Sequence, residues 1–93
     1  MDITVRYSLA LRDMIGKREE KITLPEDSTL ENALTFLSNK YGASFEKYTS
    51  SGKEGGLPSL FLINGLNAAQ LDGLKTRLAN GCTLSVVLPV AGG

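Results

Sequence analysis

Ser28-Thr29-Leu30-Glu31-Asn32-Ala33-Leu34-Thr35-Phe36-Leu37-Ser38-Asn39-Lys40-Tyr41-Gly42 carries the only long helical pattern in the chain, and its reading decides the fold. Leu30, Ala33, Leu34, Leu37 and Tyr41 recur at spacings of three and four and make one apolar stripe. Ser28 with Glu31 three residues on has the capping-box arrangement, and Gly42 suits the left-handed residue that ends a helix. A helix with a single greasy stripe must cover that stripe with another layer. Most of the remaining pattern is strand-like, so the expected layer is a sheet and the expected class is α+β.

Working outward toward the amino terminus, Ile3, Val5 and Tyr7 alternate with Asp2, Thr4 and Arg6, the period of a strand with one face buried. Lys21-Ile22-Thr23-Leu24, stopped by Pro25, reads as a second strand. The segment between them, with Arg12-Asp13 and Gly16-Lys17, reads as a broad hairpin connection. On the other side, residues 43–58 turn polar and glycine-rich and read as a mobile loop within one domain, its start pinned by Phe45 and Tyr48. Leu60-Phe61-Leu62-Ile63 is apolar on both faces, as a central strand would be, and Asn64-Gly65 is a strong hairpin turn. Leu71, Leu74 and Leu78 suggest a short helical turn ended by Asn80-Gly81. Leu84, Val86 and Leu88 alternate with Ser85 and Val87 in a last strand, which Pro89 stops.

Composition narrows the function. Ten basic and ten acidic residues give no net charge, which removes the broad attraction expected of a nucleic-acid or anionic-membrane binder. With no histidine and one cysteine, Cys82, a zinc site of the usual nitrogen and sulfur ligands cannot be assembled, and neither can an internal disulfide. Cys82 reads as a small semi-buried side chain, and the charge run from Lys17 to Lys21 as a solvated hairpin edge. No stretch has signal-peptide or membrane-spanning character, so a soluble cytoplasmic protein is expected.

The most specific feature lies at the end, Pro89-Val90-Ala91-Gly92-Gly93. A diglycine has no side-chain chemistry, so what it offers is the carboxylate of Gly93. With a pKa of roughly 3.5 that group is an anion and a poor electrophile, and it has to be activated before a nucleophile can attack. Gly92 and Gly93 lack Cβ atoms and can enter a narrow channel. Five extended residues span on the order of 17 Å, enough to reach another protein's active site, with Pro89, Val90, Ala91 and Gly92 as the recognition segment. The expected organisation is a domain over residues 1–88 and a flexible tail over 89–93. Phe61, Ile63 and Val87, on strands apolar on both faces, are candidates for a partner-docking surface.

Two strands, one substantial helix, and two or three more strands define a β-grasp arrangement, the layout of ubiquitin, with a mixed sheet of four to five strands packed against the helix and the first and last strands near its middle. Over nearly the whole chain the residues resemble the MoaD/ThiS sulfur carriers. The resemblance is carried by the segment from Tyr7 to Gly16 containing Leu11-Arg12-Asp13, by Leu24-Pro25 before the helix, by Leu62-Ile63-Asn64-Gly65, and above all by Leu88-Pro89-Val90-Ala91-Gly92-Gly93. It departs from the family pattern in having Leu88-Pro89 rather than two prolines, Cys82 after the glycine that opens the last strand, and a longer loop.

The resemblance implies that Gly93 is adenylated by an E1-like enzyme, converted to a thiocarboxylate, and used to donate sulfur, with the molybdopterin synthase small subunit as the nearest type. ATP and the catalytic residues then belong to the adenylyltransferase, no cofactor is bound, and the chain is a carrier rather than an enzyme. The acceptor would be a protein such as a molybdopterin synthase large subunit. Two alternatives share the activated carboxylate. One is a modifier conjugated to lysines, of the small archaeal modifier type; the other is a carrier for cysteine synthesis or tRNA thiolation. A third is a non-covalent β-grasp interaction module.

Overall fold

A computed structural model describes residues 1–43, 45–46 and 60–87. Strands β1 (Asp2–Tyr7), β2 (Glu19–Thr23), β3 (Leu60–Ile63), β4 (Leu66–Asn67) and β5 (Thr83–Val87) form one sheet in the order β2-β1-β5-β3-β4. Neighbours are antiparallel except β1 and β5, which run parallel at the centre. The first and last strands therefore meet in the middle, as expected of a β-grasp sheet. Ile3, Val5, Tyr7, Leu84 and Val86 point to one face and are buried there.

Helix α2 (Leu30–Tyr41) joins Leu30, Ala33, Leu34 and Leu37 to that same buried cluster, while Tyr41 at its end is half-buried. Its cap is shifted by one residue from the expectation. The Thr29 hydroxyl accepts from the Asn32 amide at 3.3 Å, and the Asn32 side chain accepts from the Thr29 amide at 2.9 Å. Ser28 is occupied elsewhere: its hydroxyl donates to the Pro25 carbonyl at 2.7 Å, closing the turn that holds Asp27 at a φ of 64°. At the other end Gly42 has the required positive φ of 88°, but its ψ of −167° is extended rather than left-handed helical.

The link from β1 to β2 is not a plain hairpin connection. It contains helix α1 (Leu9–Ile15), which buries Leu11 and Ile15 one turn apart and ends at Gly16, whose left-handed backbone donates to the Arg12 carbonyl at 2.7 Å. Asn64 and Gly65, with φ of 51° and 84°, supply the tight turn joining β3 to β4. The single helical turn expected near Leu71 resolves into two 3-10 turns, Ala68–Gln70 and Gly73–Lys75. Leu78 is buried there, whereas Leu71 and Leu74 are exposed. Cys82 is a buried free thiol, and Phe45 is fully buried beside Tyr41.

Candidate functional site

The last described strand delivers the chain end from the centre of the sheet. Val86 lies opposite Tyr7 on one side and Phe61 on the other, and its carbonyl accepts from the Ser8 amide at 3.0 Å. Val87 lies opposite Leu60. Strand β5 is thus hydrogen-bonded on both flanks. Gly93, the expected recognition residues Pro89, Val90, Ala91 and Gly92, the expected boundary after residue 88, and Tyr48 of the loop lie outside the described residues.

The candidate docking residues separate onto two faces. Phe61 and Ile63 are 7% and 8% exposed and belong to the core under the helix, because they pair with buried Val86 and Leu84. They cannot serve as an open docking surface without unpacking the domain. Val87 points to the opposite face, beside Leu60, which is 39% exposed, and near half-buried Leu62. An apolar run in sequence shows that both faces of a strand are greasy but not which is covered. The corrected open patch is Leu60, Leu62 and Val87, at the root of the tail.

On the helix side a second cluster, which the charge run concealed, gathers around Glu20. Its side chain is 7% exposed rather than solvated. One carboxylate oxygen accepts from Lys40 Nζ at 2.6 Å and has Lys17 Nζ at 3.6 Å; the other accepts from the Tyr7 hydroxyl at 2.6 Å and from the Tyr41 hydroxyl. Burial works against the charge on Glu20, but the hydrogen bonds from Lys40, Tyr41 and Tyr7 outweigh it and bring the carboxyl down to about 2. The Tyr7 and Tyr41 hydroxyls are pushed up by burial and by donating to that carboxylate, and the Lys40 amine is pushed up chiefly by its hydrogen bond to it. The Tyr7 and Tyr41 rings meet edge to face with centroids 6.5 Å apart, so three elements converge here.

A groove of about 390 Å³ between the Pro25–Ser28 turn and α2 is lined by Glu26, Asp27, Asn32 and Phe36 among others. No helix among the described residues is long and apolar enough to cross a membrane.

A five-stranded mixed sheet with parallel central strands, one main helix on one face, and a chain end leaving from the middle strand together define a ubiquitin-like β-grasp domain. The chain matches the ThiS family over residues 5–93 and belongs to it. It is 28% identical over 94 residues to small archaeal modifier protein 3 of Haloferax volcanii, each chain covered in full. Among solved structures, SAMP1 from Haloferax volcanii superposes with a TM-score of 0.77 at 25% identity, with 100% of both chains covered. A putative molybdopterin converting factor, subunit 1, from Pyrococcus furiosus superposes at 0.78 and 21% identity, covering 97% of this chain and 99% of that one. Other structural neighbours were solved in complexes with partner proteins. The family is one of small ubiquitin-like carrier and modifier proteins.

Proposed function

We propose that the working group of this protein is the Gly93 carboxylate, adenylated by an E1-like enzyme that supplies ATP and the catalytic residues. The observation that carries this reading is the family match, which runs through the diglycine to Gly93. Adenylation forms a mixed anhydride; a nucleophile then attacks the Gly93 carbonyl carbon, and AMP leaves. The chain itself is a cosubstrate in the cytoplasm, with no catalytic residue of its own. Its activating enzyme and acceptors dock on Leu60, Leu62 and Val87 while Pro89, Val90, Ala91 and Gly92 thread the tail into the active site.

The nucleophile distinguishes two readings. Full-length similarity to a small archaeal modifier supports a lysine amine, giving an isopeptide-linked conjugate. The shared fold with a molybdopterin converting factor subunit supports the second reading, a sulfur donor that makes a thiocarboxylate for molybdopterin synthesis. Coexpression with the cognate adenylating enzyme and a sulfur donor tests both. Replacement of one oxygen by sulfur in the intact mass supports the carrier, and Gly93-dependent high-mass conjugates support the modifier. If neither product forms under conditions where the enzyme is active, the activated-carboxylate reading fails and a non-covalent β-grasp module takes its place.

A further inference from the structure

We propose that Glu20 keeps the helix-side nucleophiles it binds, above all Lys40, from capturing the chain's own activated terminus. The inference rests on the activated Gly93 carboxylate proposed above. Glu20 lies opposite Val5, Val5 lies opposite Leu84, and Val87 is three residues further along β5. Two strand spacings across and three residues along place the Glu20 and Val87 backbones about 14 Å apart. Six residues follow Val87 in the sequence and span about 20 Å when extended, so the terminus can reach groups held by Glu20. A group tethered by so few residues is present at an effective concentration on the order of millimolar, which favours self-capture over a dilute partner.

Self-capture by lysine needs a neutral amine. Its lone pair forms the C–N bond to the Gly93 carbonyl carbon, the bond to the leaving group breaks, and the nitrogen gives up a proton, leaving a closed lactam. The contacts at Glu20 oppose this step. Lys40 donates to the carboxylate at 2.6 Å and is held as the ammonium, with Lys17 close to the same oxygen. The Tyr7 and Tyr41 hydroxyls direct their protons to the other oxygen, which keeps both phenols in their unreactive neutral form. One buried carboxylate thus engages two tyrosines and two lysines. Lys21, the next residue along, is exposed and lies opposite Thr4 on the open face, the side on which the partner is proposed to dock, and it supplies an internal reference amine.

The test needs no adenylating enzyme, so it is readable whether or not the proposed activation occurs. A Gly93 thioester, prepared by thiol cleavage of an intein fusion of the full chain, is incubated at mildly alkaline pH. Intact mass separates closure, which loses the thiol, from hydrolysis, which also gains water, and peptide mapping identifies the capturing lysine. In the native protein Lys21 should exceed Lys40 among closed products, and Glu20→Gln should raise the Lys40-to-Lys21 ratio several-fold. Equal capture in the native protein, an unchanged ratio in Glu20→Gln, or no closed product in that variant would overturn the proposal. If Glu20→Gln fails to fold, labelling of the unaltered protein with N-hydroxysuccinimidyl acetate decides: Lys40 should acylate several-fold more slowly than Lys21 and Lys75, and equal rates would refute the shielding.

Discussion

Glu20 shows how one residue's neighbours overrule its sequence context. Its carboxyl is held at about 2 against an ordinary value of 4.5. A depressed carboxyl contributes stability that is fully present above about 4.5 and is lost as pH falls toward 2. Urea unfolding between those limits should therefore show steeply falling stability in the native protein and a flatter profile in Glu20→Gln. Tyr41→Phe removes one hydrogen bond to the charged group and should cost about 1.5–3 kcal/mol near neutral pH. None of this was legible locally, because Lys17-Arg18-Glu19-Glu20-Lys21 has the composition of a solvated edge. Its meaning depends on Tyr7 and Tyr41, separated from Glu20 by 13 and 21 residues, arriving at the same place. The proposed role of Gly93 is the reverse case: it is suggested by the Pro89-Val90-Ala91-Gly92-Gly93 motif itself and by no neighbour across the fold.

At the scale of elements, helix α2 was legible because its stripe and its burial are the same fact. Leu37 is fully buried against the sheet, and Leu37→Ala should destabilise the domain by about 2–5 kcal/mol, measured by chemical denaturation. The cap was misplaced by one residue because Ser28 and Thr29 can both cap, and only the turn at Pro25 shows that Ser28 is engaged. Thr29→Ala should accordingly cost about 1 kcal/mol through the helix terminus, while Ser28→Ala should leave the capping bonds between Thr29 and Asn32 intact. Amide exchange in the first turn of α2 separates the two variants. Helix α1 escaped notice because it is only 7 residues long; the i,i+4 pair Leu11 and Ile15 followed by Gly16 was its available signal. The docking face is ambiguous in sequence for another reason: Leu60, Phe61, Leu62 and Ile63 are all apolar, and only the packing shows that Phe61 and Ile63 take the covered face.

For the whole molecule, the strand alternation and the helix stripe were sufficient to imply the layers, and the parallel pairing of β1 with β5 completes the topology that sends the chain end out from the centre. Among the described residues the core is built from positions between Ile3 and Val86, and the proposed division puts the working tail beyond them. That separation yields a test of the division between body and tail. Removing residues 89–93 deletes no described core contact and should change stability by no more than about 0.5 kcal/mol, a shift in thermal midpoint of about 4 °C or less. The same truncation should abolish every Gly93-dependent product. Leu60→Glu addresses the complementary half: it places a charge on the open face, should leave the fold intact, and should weaken binding of the adenylating enzyme about tenfold, the effect of losing one interface contact worth about 1.4 kcal/mol. If truncation instead lowers the midpoint by much more, the tail packs on the body, and its reach toward partners and toward Lys40 is shorter than the extended length allows.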